Sequence, residues 1–150
     1  MDVTLREITM ENFRECIRLN IAEGQRSFVA TNVSSLAEAK VDGVSHPLAI
    51  YADDQMVGFI MYDFEPEEDR GYISRLMVDA RFQGHGYGRV AMVQVIDRFK
   101  DIPECREIQT SFAPANTAAE TLYLSLGFER TGEVVDGEIV VRRQLTAQTS

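Results

Sequence analysis

Residues 76–88 of the chain read Leu76-Met77-Val78-Asp79-Ala80-Arg81-Phe82-Gln83-Gly84-His85-Gly86-Tyr87-Gly88. The apolar start is typical of the end of a buried strand, and helical apolar spacing begins after the last glycine. Three alternate glycines at such a junction let the main chain approach a ligand and expose N–H groups at the positive end of the helix. The stretch therefore predicts a phosphate-binding turn, with a plain structural turn as the alternative.

The spacing of these glycines argues against two common nucleotide-binding motifs. Arg89 stands where the dinucleotide pattern GxGxxG requires its third glycine, and no Gly-Lys-Ser/Thr of a P-loop follows. A nucleotide-binding module is therefore disfavoured.

The rest of the chain divides into alternating patterns on either side of this turn. Strands are predicted over residues 2–8, 48–52, 56–64, 71–78, 106–112, 128–135 and 138–145. Helices are predicted over residues 10–21, 34–42, 86–100 and 116–126, and Thr9 and Ser34 begin the first two. The third has an apolar face on or near which lie Val90, Val93, Val95, Ile96 and Phe99. This order predicts an α/β (α+β) fold, a mixed sheet of about seven strands with helices on both faces. We expect one domain over residues 1–145 and a frayed tail over 146–150.

Composition narrows the class of protein. A net charge of −9 over 150 residues argues against nucleic acid as a partner. With no long apolar run and no signal-peptide pattern, we expect a cytoplasmic protein without a membrane partner. Two separate cysteines and two separate histidines predict reduced thiols and no metal site.

A second motif follows the first at a fixed separation. Residues 116–128 read Asn116-Thr117-Ala118-Ala119-Glu120-Thr121-Leu122-Tyr123-Leu124-Ser125-Leu126-Gly127-Phe128. Gln83, Gly86 and Gly88 fill the pattern Gln/Arg-x-x-Gly-x-Gly/Ala, and residues 116–128 resemble Asn-x-x-Ala-x-x-x-Tyr-x-x-x-Gly-Phe. Together they resemble the GCN5-related N-acetyltransferases (GNAT), whose fold has a mixed, mostly antiparallel central sheet.

The resemblance implies acetyl-CoA as co-substrate and direct transfer of its acetyl group to an amine. The implied cofactor-binding residues are Leu76, Met77, Val78, Gln83, Gly84, His85, Gly86, Tyr87, Gly88, Arg89 and Asn116. Tyr123 would protonate the departing thiolate, because a phenol is a suitable acid for an alkyl thiolate. A plain helix cap is the alternative for Asn116, and a core aromatic is the alternative for Tyr123.

Within the family, residues 20–29, 57–62 and 132–138 resemble bacterial spermine/spermidine N-acetyltransferases. The acidic first half of the chain, with 14 Asp and Glu against 7 Lys and Arg in residues 1–75, fits a cationic acceptor. The residues predicted to line the acceptor side are Glu23, Gln25, Phe28, Tyr62, Glu65, Glu67 and Ser74. Ser74 departs from that subfamily, which tends to have aspartate there.

The acceptor and the general base stay open at this point. A small cationic amine is the favoured partner; a protein N-terminus, a lysine or an antibiotic amine is the alternative within enzymes. A non-catalytic acyl-CoA sensor is the alternative outside them. Glu23, Glu65, Glu67 or a water chain could supply the base, and the oligomeric state, including a homodimer, is undecided.

Overall fold

The computed structural model describes residues 2–20 and 31–145, and this part of the chain contains seven strands and four α-helices. The strands are β1 Val3–Glu7, β2 His46–Ala52, β3 Gln55–Glu65, β4 Arg70–Val78, β5 Glu107–Phe112, β6 Glu129–Val135 and β7 Glu138–Gln144. The helices are α1 Phe13–Arg18, α2 Asn32–Asp42, α3 Tyr87–Lys100 and α4 Thr117–Ser125. Two short 3-10 helices, Pro66–Glu68 and Ala80–Phe82, lie on either side of β4.

The strands form one sheet in the order β1-β2-β3-β4-β5-β7-β6. Every neighbouring pair is antiparallel except β4 and β5, which run parallel. Because α3 connects the two parallel strands, it returns across one face of the sheet. The predicted α/β class with a mixed, mostly antiparallel sheet is confirmed.

Each face of the sheet carries its own buried cluster. On one face, Ile73, Met92, Phe99, Ile108 and Tyr123 pack with neighbours from the sheet, α3 and α4. On the other face, Cys16 and Leu19 from the region of α1 pack with side chains of β2, β3 and β4, and Leu36 and Ala39 of α2 pack against them. Helices therefore cover both faces, as predicted.

Two predicted helix starts are wrong. Thr9 opens a turn instead of the first helix: its N–H donates to Asn12 Oδ1 at 2.7 Å, and α1 begins only at Phe13. In α2 the cap is Thr31, whose hydroxyl accepts from the N–H of Ser34 at 3.1 Å. A capping side chain accepts from an N–H two or three residues on, so Ser34 supplies the donor here.

The buried face of α3 also differs from the prediction. Val90 and Val93 are each 40% exposed, while Ala91, Met92, Val95, Ile96 and Phe99 are buried. Ala91 and Met92 therefore belong to the buried face of α3, and Val90 and Val93 do not. Within the described residues, no helix is long and apolar enough to span a membrane.

Candidate active site

A cavity of about 520 Å³ opens where β4 and β5 separate. The two strands pair only from Arg70 with Glu107 to Ile73 with Thr110. On the other side of β4, Met61 pairs with Arg75 and Tyr62 with Ile73, which leaves Ser74 as an extra residue in a bulge. The bulge turns the last residues of β4 away from β5, so their side chains and main chain line the cavity.

The glycine turn forms one wall of this cavity. Gly84 and Gly86 have φ of 85° and 82°, and a Cβ placed on either would meet no atom within 4 Å. Gly86 stands at the start of α3 without a side-chain cap, and it lines the cavity together with Gly84 and Gly88. A phosphate group fits such a cradle of main chain and open space.

Most of the predicted cofactor-binding residues line the cavity together. They are Leu76, Met77, Val78, Gln83, Gly84, Gly86, Tyr87, Gly88, Arg89 and Asn116. His85 is outside this lining and stacks on Tyr87, with ring centroids 5.5 Å apart. Arg89 donates a hydrogen bond to the hydroxyl of Ser125, and Gln83 Nε2 donates to the Val78 carbonyl at 3.0 Å. These two bonds fix the turn against α4 and the end of β4.

Asn116 caps α4 and lines the cavity as well. Its Oδ1 accepts from the N–H of Ala119 at 3.2 Å. The helix cap, which was the alternative interpretation of Asn116, is therefore present. Asn116 also lies at the cavity wall. Capping thus fixes the position from which Asn116 can meet a ligand.

Tyr123 is both a core residue and part of the cavity wall. Only 6% of it is exposed, and its ring lies 6.1 Å from that of Phe112 and 5.9 Å from that of Phe128. Burial raises the pKa of the phenol to about 12, with a smaller increase from the charge of Glu138 and an opposing hydrogen bond with Thr110. Tyr123 is therefore protonated throughout the physiological pH range.

The predicted acceptor-side residues do not all come together. Ser74 lines the cavity and donates its hydroxyl proton to the Met61 carbonyl at 3.3 Å. Glu65 pairs with Arg70 at 2.6 Å, and neither Glu65 nor Glu67 reaches the cavity lining. Tyr62 packs edge-on against Phe99 of α3, on the sheet face away from α2. Glu23, Gln25 and Phe28 lie outside the described residues.

Hydrogen bonds join three polar residues of the cavity lining that were not among the predicted ones, Tyr72, Ser111 and Glu138. The Tyr72 hydroxyl lies 3.2 Å from Ser111 Oγ, which donates to Glu138 Oε1 at 2.7 Å. They come from β4, β5 and β7, so no spacing along the chain brings them together. In β5 the side chains alternate between the two faces of the sheet, so Ser111 lies on the face opposite to that of the buried Thr110 and Phe112. This alternation is the one sequence signal for the position of Ser111.

The two cysteines take no part in the cavity. Both are buried and free, and neither is among its lining residues. Burial raises the pKa of the Cys16 thiol to about 11, with a contribution from Glu15, and burial also raises the pKa of Cys105. Both thiols therefore stay protonated at neutral pH. Among the residues that the structure describes, no group of three or more His, Cys, Asp or Glu side chains could hold a metal ion.

A mixed sheet opens beside a glycine-rich helix start, and a buried tyrosine lines the opening, as the resemblance to acyl-CoA-dependent transferases implies. The model of the acetyltransferase (GNAT) family matches residues 5–128, so the chain belongs to that family. As a member of this family it is an N-acetyltransferase that uses acetyl-CoA, as the resemblance implied.

Individual relatives agree with this assignment. The chain is 28% identical over 152 residues to a spermine/spermidine N(1)-acetyltransferase of Bacillus subtilis, covering 97% of this chain and 100% of that protein. Among solved structures, the spermidine N-acetyltransferase from Vibrio cholerae in complex with CoA and spermine superposes with a TM-score of 0.73 at 18% identity, over 93% of this chain and 92% of that one. The PaiA N-acetyltransferase from Thermoplasma acidophilum in complex with coenzyme A superposes with a TM-score of 0.71 at 13% identity, over 96% and 99%.

Proposed function

We propose that the protein acetylates a primary amine of a polyamine such as spermidine or spermine, by direct attack of the amine on acetyl-CoA in a ternary complex. The observation that carries the choice of a polycation is a half-buried carboxylate, Asp63, in a negative region beside the cavity. The full-length similarity to a spermine/spermidine acetyltransferase supports the same choice.

Asp63 lies next to the cavity on the α2 side of the sheet. It is the Cα partner of Tyr72, a lining residue of the cavity. Its neighbour Tyr62 faces α3, so the alternation of the strand directs Asp63 to the other face. Burial raises the pKa of Asp63 to about 6, and the charges of Glu65, Asp42 and Glu38 add to the shift, whereas His46 opposes it. A second ammonium group of a polyamine would relieve this repulsion.

The donor half of the reaction rests on the cavity wall. The amides of the glycine turn would hold the pyrophosphate, and the end of β4 would lie along the pantetheine arm. Acetyl-CoA supplies a thioester whose acetyl carbon accepts the amine. A main-chain N–H of Met77 or Val78 directed at the acetyl oxygen would stabilise the charge that develops there, by about 3 kcal/mol for one such donor.

Direct transfer is preferred over an acyl-enzyme. A cysteine nucleophile must reach the thioester and be ionised. Cys16 and Cys105 are protonated at neutral pH and lie outside the cavity lining. No activating base pairs with either thiol in the described part of the chain, which supports attack by the amine itself.

An amine panel tests the proposed function. The purified protein is mixed with acetyl-CoA, and free CoA is measured as spermidine, spermine, butylamine, a peptide with a free N-terminus or an aminoglycoside is added. We expect CoA release and acetylated product with the polyamines, and much less with butylamine. Turnover of only the peptide or the aminoglycoside would overturn the polyamine substrate, and binding of CoA without release on any amine would favour a sensor.

Replacing Asp63 with Asn is expected to raise the KM for spermidine about tenfold and to leave the KM for acetyl-CoA unchanged. Loss of one close opposite charge at a partly buried site accounts for an effect of this order. Asp101→Asn, an exposed site beyond α3, removes the same charge as a control. Because Asp63 ionises near pH 6, the wild-type KM for spermidine should rise as the pH falls through 6, and the variant should lack this rise. An equal effect of both substitutions would contradict a specific role for Asp63.

The same substitution should raise the free energy of unfolding at pH 7. A carboxyl whose folded-state pKa is raised stabilises the fold below its ordinary pKa, and that contribution is lost as the pH rises from about 4 to 6. One pKa unit corresponds to about 1.4 kcal/mol, and screening of this partly exposed group leaves about 1 kcal/mol. Urea unfolding of Asp63→Asn and of the wild type at pH 4 and pH 7 should show the higher free energy of unfolding of the variant only at pH 7.

A further inference from the structure

We propose that Glu138 is the general base of the reaction: it accepts the proton that the substrate ammonium loses before attack, while Ser111 and Tyr72 hold its carboxylate in place. This inference rests on the proposed acetyl transfer to an amine and assigns one step of it. It requires no particular amine, because every alkylammonium must lose a proton before its nitrogen can attack.

The hydrogen bonds around Glu138 have a defined direction. Ser111 gives its single hydroxyl proton to Glu138 Oε1 at 2.7 Å. In the 3.2 Å contact between Tyr72 and Ser111, the Tyr72 hydroxyl must then be the donor. Both hydroxyls therefore donate toward the carboxylate. Such an arrangement orients a carboxylate and leaves it an acceptor, as a general base requires.

Glu138 also has the right position. It lines the cavity that contains the glycine turn and Tyr123. Its charge is one of the causes of the raised pKa of Tyr123, so the carboxylate and the phenol are close enough to interact. Among the described residues that line the cavity, Glu138 is the only carboxylate. The proposed base and the proposed acid thus face the same small space.

The other candidate groups are engaged elsewhere. Glu65 forms an ion pair with Arg70 at 2.6 Å and is outside the lining. The Ser74 hydroxyl donates to a main-chain carbonyl, and Arg75 beside it pairs with Glu38 at 2.8 Å. Asp63 and Glu67 are likewise outside the lining, so Glu138 is the one carboxylate among the described residues that reaches the cavity where the ammonium would lose its proton.

The protons of the reaction balance with these two residues. The ammonium gives one proton to Glu138, and its nitrogen then forms the C–N bond to the acetyl carbon as the C–S bond breaks. Tyr123 gives its proton to the departing sulfur and regains one from the same nitrogen, which keeps one hydrogen as the amide. Glu138 returns its proton to water. The products are the N-acetyl amine, CoA thiol and one released proton.

Glu138→Gln is the decisive variant, because glutamine keeps the size and can still accept from Ser111, but it cannot take up the ammonium proton. We expect kcat/KM at pH 7 to fall about 100-fold, with the Kd for CoA unchanged. The difference in kcat/KM between the variant and the wild type should shrink as the pH approaches the pKa of the substrate ammonium, near 10.4 for an alkylamine. At that pH much of the amine is already neutral and needs no base. Glu133→Gln, on the exposed part of the same hairpin, is the matched control.

Ser111→Ala provides a second measurement. As a positioning residue, Ser111 should affect kcat by about tenfold, and the deficit should again narrow at high pH. A loss of activity that is the same at every pH, or a loss below threefold in Glu138→Gln, would overturn the assignment. Each variant is measured with spermidine and with a peptide amine. If the wild-type protein acetylates the peptide alone, the polyamine substrate fails while the comparison still decides the role of Glu138; if it acetylates neither, both proposals fail.

Discussion

Replacing Tyr123 with Phe is expected to lower kcat by about 100- to 1,000-fold and to leave the Kd for CoA within about twofold, the range typical for loss of a general acid. Phenylalanine keeps the ring that packs between Phe112 and Phe128, so the fold and the cavity wall should persist. Thr110 loses its contact with the phenol but still donates to the Ile73 carbonyl at 2.8 Å. The expected loss is therefore chemical, and steady-state kinetics with CoA titrations measure it.

Tyr51→Phe is the matched control for this prediction. Tyr51 is also buried, at 7% exposure, and its hydroxyl accepts from Asn12 Nδ2 at 3.4 Å on the opposite face of the sheet. Removal of its hydroxyl should leave kcat unchanged. Because the pKa of Tyr123 is about 12, wild-type kcat should show no decline from ionisation of this phenol between pH 7 and 10. Equal kcat values in Tyr123→Phe and the wild type would contradict the acid role.

Replacing Gly86 with Ala is expected to weaken CoA binding about 100-fold. Gly86 has φ of 82°, so alanine costs about 1–2 kcal/mol of strain, and its Cβ would enter the open space beside the first amides of α3. The protein itself has no atom within 4 Å of that Cβ, so the additional effect must come from a ligand in this space. Isothermal titration with CoA measures it.

Gly43→Ala separates backbone strain from contact with the ligand. Gly43 ends α2 with φ of 71°, and a Cβ there would also meet no atom within 4 Å. Both variants should lose a similar amount of stability in urea unfolding, but only Gly86→Ala should lose CoA affinity. If the two variants bound CoA equally well, the glycine turn would not be the phosphate site.

The proposed donor half of the site could be assembled from the sequence because its segments are local. The glycine turn and the segment that begins at Asn116 are each continuous stretches, so their residue types and spacing are visible without a structure. Ten of the eleven predicted cofactor-binding residues line the cavity, and only His85 does not. The order of strands and helices likewise follows from local periodicity, and the fold class was predicted correctly.

The proposed acceptor half could not be predicted because its residues come from several strands. Tyr72, Ser111 and Glu138 meet only through the register of three strands, and Asp63 of β3 is the cross-strand partner of Tyr72. The bulge at Ser74 decides which face the neighbouring side chains take, and no sequence pattern marks it. Tyr62 is an example: its residue type suggested a ligand contact, but the strand directs it to Phe99.

Inhibition by a bisubstrate analogue, in which spermidine is joined to CoA through an acetyl linker, tests direct transfer to a polyamine most directly. If both substrates occupy the cavity at once, the analogue should compete with acetyl-CoA and with spermidine, and it should bind at least 100-fold more tightly than CoA. Asp63→Asn should weaken binding of the analogue through its spermidine half, and Gly86→Ala should weaken it through its CoA half. Competition with acetyl-CoA alone, at an affinity no better than that of CoA, would contradict a polyamine site beside the thioester.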